Sequence, residues 1–147
     1  MAILAAAGSG KTECVVGAAL AAARGRVLIT TYTDENQRHI VRRMEQKVGV
    51  VPKHITVMGW FSFLITHCVK PYQRALTGQP FLINGLNFKG QRNRFAPKTE
   101  LRYFLDPKSD LYRDGVSDFA VQVNRMTGGA VVARLERIFS QIGRAHV

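Results

Sequence analysis

The feature that most constrains this chain is near its start. A short apolar run, Ala2–Ala6, leads into Ala5-Ala6-Ala7-Gly8-Ser9-Gly10-Lys11-Thr12, and Lys11–Ala23 follows as an Ala- and Val-rich stretch of good helix formers that stops before Gly25. Strand, glycine turn and helix in that order match G-x-x-x-x-G-K-[ST], with Ala5 in place of the first glycine. The spacing has a physical purpose. Gly8 and Gly10 open backbone angles closed to other residues, so successive amides can turn toward one anion. A helix starting near Lys11 aims its positive end at the same point. Lys11 can reach β- and γ-phosphate oxygens, and Thr12 can offer its hydroxyl to Mg²⁺. The motif implies a site for the phosphates of ATP, formed by Ala5, Ala6, Ala7, Gly8, Ser9, Gly10, Lys11 and Thr12, with Lys11 and Thr12 as its catalytic pair.

The alternation continues. Val27–Thr31 is a β-branched run typical of a buried strand. Thr33 or Asp34 can cap a helix through Val48, with Ile40, Val41, Met44 and Val48 on one face and Gly49 as its stop. Ile55–Met58 is a third strand, and Trp60–Val69 an apolar helix that ends before Pro71. Strand–helix–strand–helix–strand predicts an α/β fold on a parallel sheet. From residue 70 the pattern changes. Residues 77–98 hold Gly78, Pro80, Gly85, Gly90 and Pro97 without a clear period, which predicts an irregular inserted segment. Val116–Arg125 and Ala130–Phe139 read as helices on either side of Gly128-Gly129.

Composition narrows the partners. The 147 residues carry 21 Lys+Arg against 10 Asp+Glu, a net charge of +11. The excess is concentrated in residues 70–102, with seven basic residues and one acidic. Such a surface attracts polyanions, nucleic acid above all. No apolar run approaches the ~20 residues needed to cross a bilayer, and the N-terminus lacks the basic region of a signal peptide. Cys14 and Cys68 form no CxxC pair, which suits a cytoplasmic protein; Cys14 is expected to be buried within the first helix. Ligands of open parallel sheets sit at the carboxyl ends of the strands. Tyr32 follows one strand and Trp60 and Phe61 the next, so their rings can stack on bases, whereas Phe63 reads as core. The strand-borne acidic residue that usually completes a hydrolytic phosphate site is missing. Its one candidate, Asp106, precedes Pro107 and reads as a turn residue.

Three segments together resemble superfamily 1 helicases of the UvrD/Rep type. Ala5–Thr12 resembles their first motif, often with Ala at its first position. Thr30-Thr31-Tyr32-Thr33-Asp34-Glu35-Asn36 is similar to motif Ia, and Thr56-Val57-Met58-Gly59-Trp60-Phe61-Ser62-Phe63 to motif Ib. Asp34, Gly59 and Phe61 depart from the usual Asn, hydroxyl residue and His. The resemblance covers about residues 1–142. It implies a RecA-like P-loop NTPase sheet with flanking helices, incomplete here, with a mostly helical or irregular insertion. Residues 1–69 would be the front half of the ATP-binding domain, 70–129 the basic insertion and 130–142 a helix returning to the core. It further implies ATP and Mg²⁺ as cofactors, single-stranded DNA as partner (and duplex at a junction), and ATP-driven translocation. Motifs Ia and Ib would bring Tyr32, Thr33, Asn36, Trp60 and Phe61 to the strand. Arg74, Lys89, Arg92, Arg94 and Lys98 would meet phosphates from the insertion.

The last six residues, Ile142–Val147, resemble a translated sequencing adapter, so residues 143–147 are expected to be a non-native tail on a fragment shortened at both ends. By itself such a fragment should neither unwind DNA nor hydrolyse ATP. Two other readings stay open: a small P-loop kinase, and a basic nucleic-acid-binding module whose loop merely holds an anion.

Overall fold

In the computed structural model, residues 2–7, 10–78 and 82–146 are described, with only the backbone given for Ala2–Ala7, Lys11, Thr77 and His146. Four strands, β1 (Ala2–Ala7), β2 (Val27–Thr31), β3 (Ile55–Gly59) and β6 (Gln141–His146), form one sheet in the order β1-β6-β2-β3, every pair parallel. The α/β expectation therefore holds at the level of a small parallel sheet with flanking helices. Consecutive parallel strands need a crossover, and helices α1 (Lys11–Ala21) and α2 (Asp34–Val48) supply two of them.

Local chemistry sets these elements. Thr33, extended at φ −123°, caps α2 by accepting the Asn36 amide at 3.1 Å. Gly49 ends the helix at φ 84°, and its amide donates to the Glu45 carbonyl. All five residues of β2 are buried, as a strand with neighbours on both edges requires. Val15, Val16 and Ala19 of α1 and Ile40 and Met44 of α2 pack with Val27, Ile29, Ile55 and Ala145 of the sheet. That layer corrects two expectations. Val48, at the end of α2, is half exposed. Cys14 is exposed, not buried. The buried residues of α1 are Thr12, Val15, Val16 and Ala19, and at 100° per residue Cys14 lies on the opposite face.

The chain divides into two compact units, residues 1–63 with 133–147 and residues 64–132. The divisions fall at Phe63/Leu64 and Val132/Ala133, where the sequence had suggested 69/70 and 129/130. Helix α3 (Trp60–Phe63) runs on as π-helical turns over Leu64–Val69, and these pack on α5 (Val116–Met126) in the second unit. The second boundary passes through α6 (Ala130–Ile138). Residues 143–146, expected as a tail, are strand residues of β6, and Val147 lies outside the described residues.

The second unit also holds α4 (Gln73–Thr77) and a short parallel pair, β4 (Leu86–Asn87) with β5 (Leu111–Tyr112). Phe119 of α5 is buried against Phe104, ring centroids 4.9 Å apart, and Tyr103 meets Phe104 edge-on at 4.8 Å. Buried Gln73 accepts the amides of Leu82 (3.1 Å) and Ile83 (2.7 Å), fixing an irregular stretch that has no ladder partner of its own.

Candidate functional site

Strand β1 ends at Ala7 and helix α1 begins at Lys11, the order of elements that the phosphate motif requires. Gly10 is the N-terminal cap of α1 at φ 99° and ψ −24°, a region costly for any residue with a Cβ. Its carbonyl accepts the Cys14 amide at 3.3 Å, which closes the first helical turn. Lys11 is the first helical residue, and Thr12, 7% exposed, the second. Gly8 and Ser9 lie outside the described residues, as do the side chains of Ala5, Ala6, Ala7 and Lys11. Among the described residues, a Cβ placed on Gly10 would meet nothing within 4 Å.

Glu13, also in the first turn, is drawn into ion pairs with Lys47 and, at 3.6 Å, Arg43 of α2. The hydrogen bond from Lys47 lowers its pKa against a smaller opposing effect of burial, and the charges of Lys47 and Arg43 add to the lowering. A carboxylate this close to a helix N-terminus would repel a phosphate, and the two cations offset that charge.

A second cluster forms at the carboxyl ends of β2 and β3. Tyr32, 45% exposed, lies 6.3 Å from Trp60 and 6.2 Å from Phe61, centroid to centroid. Trp60 rests on Phe63 at 5.6 Å, and Phe63 is buried as expected. The structure thus brings Tyr32, Trp60 and Phe61 together. Thr33 spends its hydroxyl on the helix cap, and Asn36 provides the amide it accepts.

Arg144 was missed as a site residue. From β6 its guanidinium sits 4.3 Å from the Tyr32 centroid and 4.7 Å from that of Trp60, and its Nε is buried without a hydrogen-bond partner among the described residues. Periodicity could not reveal this, because the contact exists only once β6 lies between β1 and β2.

The basic residues of the second unit separate into two kinds. Arg74, Lys89, Arg94 and Lys98 are exposed. Arg92 is held by Asp118 and by Asp114 (3.4 Å), with its guanidinium 5.8 Å from the Tyr103 centroid, and the Asp118 hydrogen bond raises its pKa further. Its charge is met inside the protein. Asp106 acts as the turn residue the sequence suggested. It accepts the amides of Lys108 (2.8 Å) and Asp110 (2.9 Å) and the Asn87 side-chain amide (2.8 Å). The Asp110 hydrogen bond is the main cause of its lowered pKa. Among the described residues no group of three His, Cys, Asp or Glu is placed to hold a metal. No described helix is long and apolar enough to cross a membrane. Compared with protein-family models, curated proteins and solved structures, the chain finds no match.

Proposed function

We propose that this chain is the ATP-binding part of an ATP-dependent DNA helicase that moves along single-stranded DNA. The observation that carries the reading is the junction of β1 and α1. A glycine in a left-handed conformation starts a helix whose first two residues are Lys11 and Thr12, beside a parallel sheet. Lys11 would neutralise β- and γ-phosphate oxygens, and Thr12 would hold Mg²⁺. The metal, when bound, draws charge from the phosphate oxygens. The chain's own contribution would be to position the phosphates on the amides at the start of α1 and on the Lys11 cation. Tyr32, Trp60 and Phe61, grouped with the cation of Arg144 at the strand ends, favour the nucleic-acid part of the reading over a small-molecule kinase, since aromatic rings and a positive charge stand together where ligands of open sheets bind.

The test is binding of a fluorescent ATP analogue with Mg²⁺ to the 147-residue chain and to Lys11→Ala. Charge-assisted hydrogen bonds contribute about 1.5–3 kcal/mol each, so affinity should fall at least about tenfold. Equal affinity in the two proteins would refute the phosphate site. For a longer protein containing this chain, hydrolysis stimulated by single-stranded DNA is expected, and transfer of the γ-phosphate to a small acceptor would favour the kinase instead.

A further inference from the structure

Phe95 is 100% exposed, and the turn that presents it is fixed. Its own amide donates to Asn93 Oδ1 at 3.1 Å, and the Ala96 amide donates to the Asn93 carbonyl at 3.1 Å. The Asn93 amide in turn donates to the Tyr103 carbonyl, and Ala96 is buried. The ring therefore stands on an anchored platform, not at the end of a loose loop. Upstream, Asn87 Oδ1 accepts the amides of Lys89 (3.0 Å) and Gly90 (2.8 Å), which fixes the start of the same segment. Phe88 within it is 62% exposed.

The charges carried by the segment itself have one sign. Residues 88–99 contain Lys89, Arg92, Arg94 and Lys98 and no carboxylate. Arg92 is paired with Asp114 and Asp118, whereas Lys89, Arg94 and Lys98 are exposed. Lys98 also lines an open groove of about 560 Å³, with Arg125, the exposed Val121 and Asp118 of α5, the last of these paired with Arg92. A large apolar ring left in water forgoes the stabilisation that burial would bring. Here it is set among cations that have no ion pair among the described residues, on a hydrogen-bonded turn. The complementary ligand carries repeated negative charges and flat apolar faces together, which describes a nucleic-acid strand with unpaired bases.

We propose that the 88–98 segment is a second single-strand contact, in which Phe95 stacks on a base while Lys89, Arg94 and Lys98 follow the phosphates. This deepens the nucleic-acid part of the proposed function and rests on that part, but it needs no ATP and no residue of the first unit.

The experiment is fluorescence anisotropy with the 147-residue chain and two labelled oligonucleotides of equal length, one of mixed sequence and one abasic. Phe95→Ala should weaken the mixed-sequence strand about five- to a hundredfold, the loss of one base–aromatic stack, and leave the abasic strand unchanged. Phe95→Tyr should bind like the wild type. Each of Lys89→Ala, Arg94→Ala and Lys98→Ala should reduce the slope of log affinity against log salt by about 0.7 on both strands. Undiminished binding by Phe95→Ala, or an equal loss on both strands, overturns the stacking contact while leaving the wider reading intact. Failure of the wild type to bind either strand removes the nucleic-acid part of the proposed function as well. A Phe95→Ala defect seen only on vesicles of anionic phospholipid would assign the segment to a membrane surface and sink the proposal.

Discussion

Helix α1 holds two glycines for which the same substitution should act in opposite directions. Gly10 caps the helix at φ 99°, and Gly17 lies in its exposed interior. Among the described residues a Cβ added at either would meet nothing within 4 Å, so the expectation rests on backbone preference. At Gly10, alanine must adopt a left-handed conformation, at about 1–2 kcal/mol, against roughly 0.4–1 kcal/mol gained by restricting the unfolded chain. The expected net loss is about 1 kcal/mol, toward the upper side because 99° lies beyond the left-handed well near +57°. At Gly17, alanine should stabilise by about 0.5–1 kcal/mol, the usual gain in a helix interior. Urea unfolding of the two variants measures both, since a change of midpoint at constant slope is a change of stability. The ATP-analogue assay supplies the functional half: Gly10→Ala should lose affinity, because the turn can keep its shape only under strain, and Gly17→Ala should retain it. Movement of both variants in the same direction, or wild-type stability and binding in Gly10→Ala, would refute the argument that this turn depends on a left-handed residue.

Further tests address packing and protonation. Phe119→Ala removes a ring that is 1% exposed and packed at a tilt against Phe104, so a loss of about 3–5 kcal/mol in urea unfolding is expected; a loss under about 1 kcal/mol would mean that the site collapses around the gap. Asp106 has a folded pKa below its ordinary 3.8. Its hydrogen bonds therefore contribute fully above that pH, and the contribution is lost as pH falls through the folded pKa. The stability gap between wild type and Asp106→Ala should be constant at neutral pH and close in acid; a gap independent of pH would contradict the carboxylate's role in the turn.

Local chemistry made much of the first unit legible. Val27–Thr31 and Asp34–Val48 have the bounds expected from a β-branched run, a threonine cap and a glycine stop, because each signal acts within a few residues of the element it ends. The turn role of Asp106 was legible for the same reason, as its backbone partners lie two and four residues away. Legibility ended where an outcome depended on distant partners. Cys14 carried no mark of its exposure, which follows from the face α1 presents to β2 and α2. Arg92 looked like its basic neighbours until Asp114 and Asp118, more than twenty residues away, came beside it. Phe95, one aromatic among many in the sequence, is distinguished by the Asn93 turn that holds it out in water.

The residue order alone determined the glycine turn ahead of Lys11 and Thr12, the succession of strands and helices through residue 59, and the concentration of positive charge after residue 69. The tertiary structure alone decided that β6 lies between β1 and β2, and so that Arg144 covers the rings of Tyr32 and Trp60. The physical reason is range. Dihedral preference and capping act between near neighbours and leave their mark in the order of residues, whereas the parallel ladders of β6 join segments more than a hundred residues apart through backbone groups that nearly every residue carries alike.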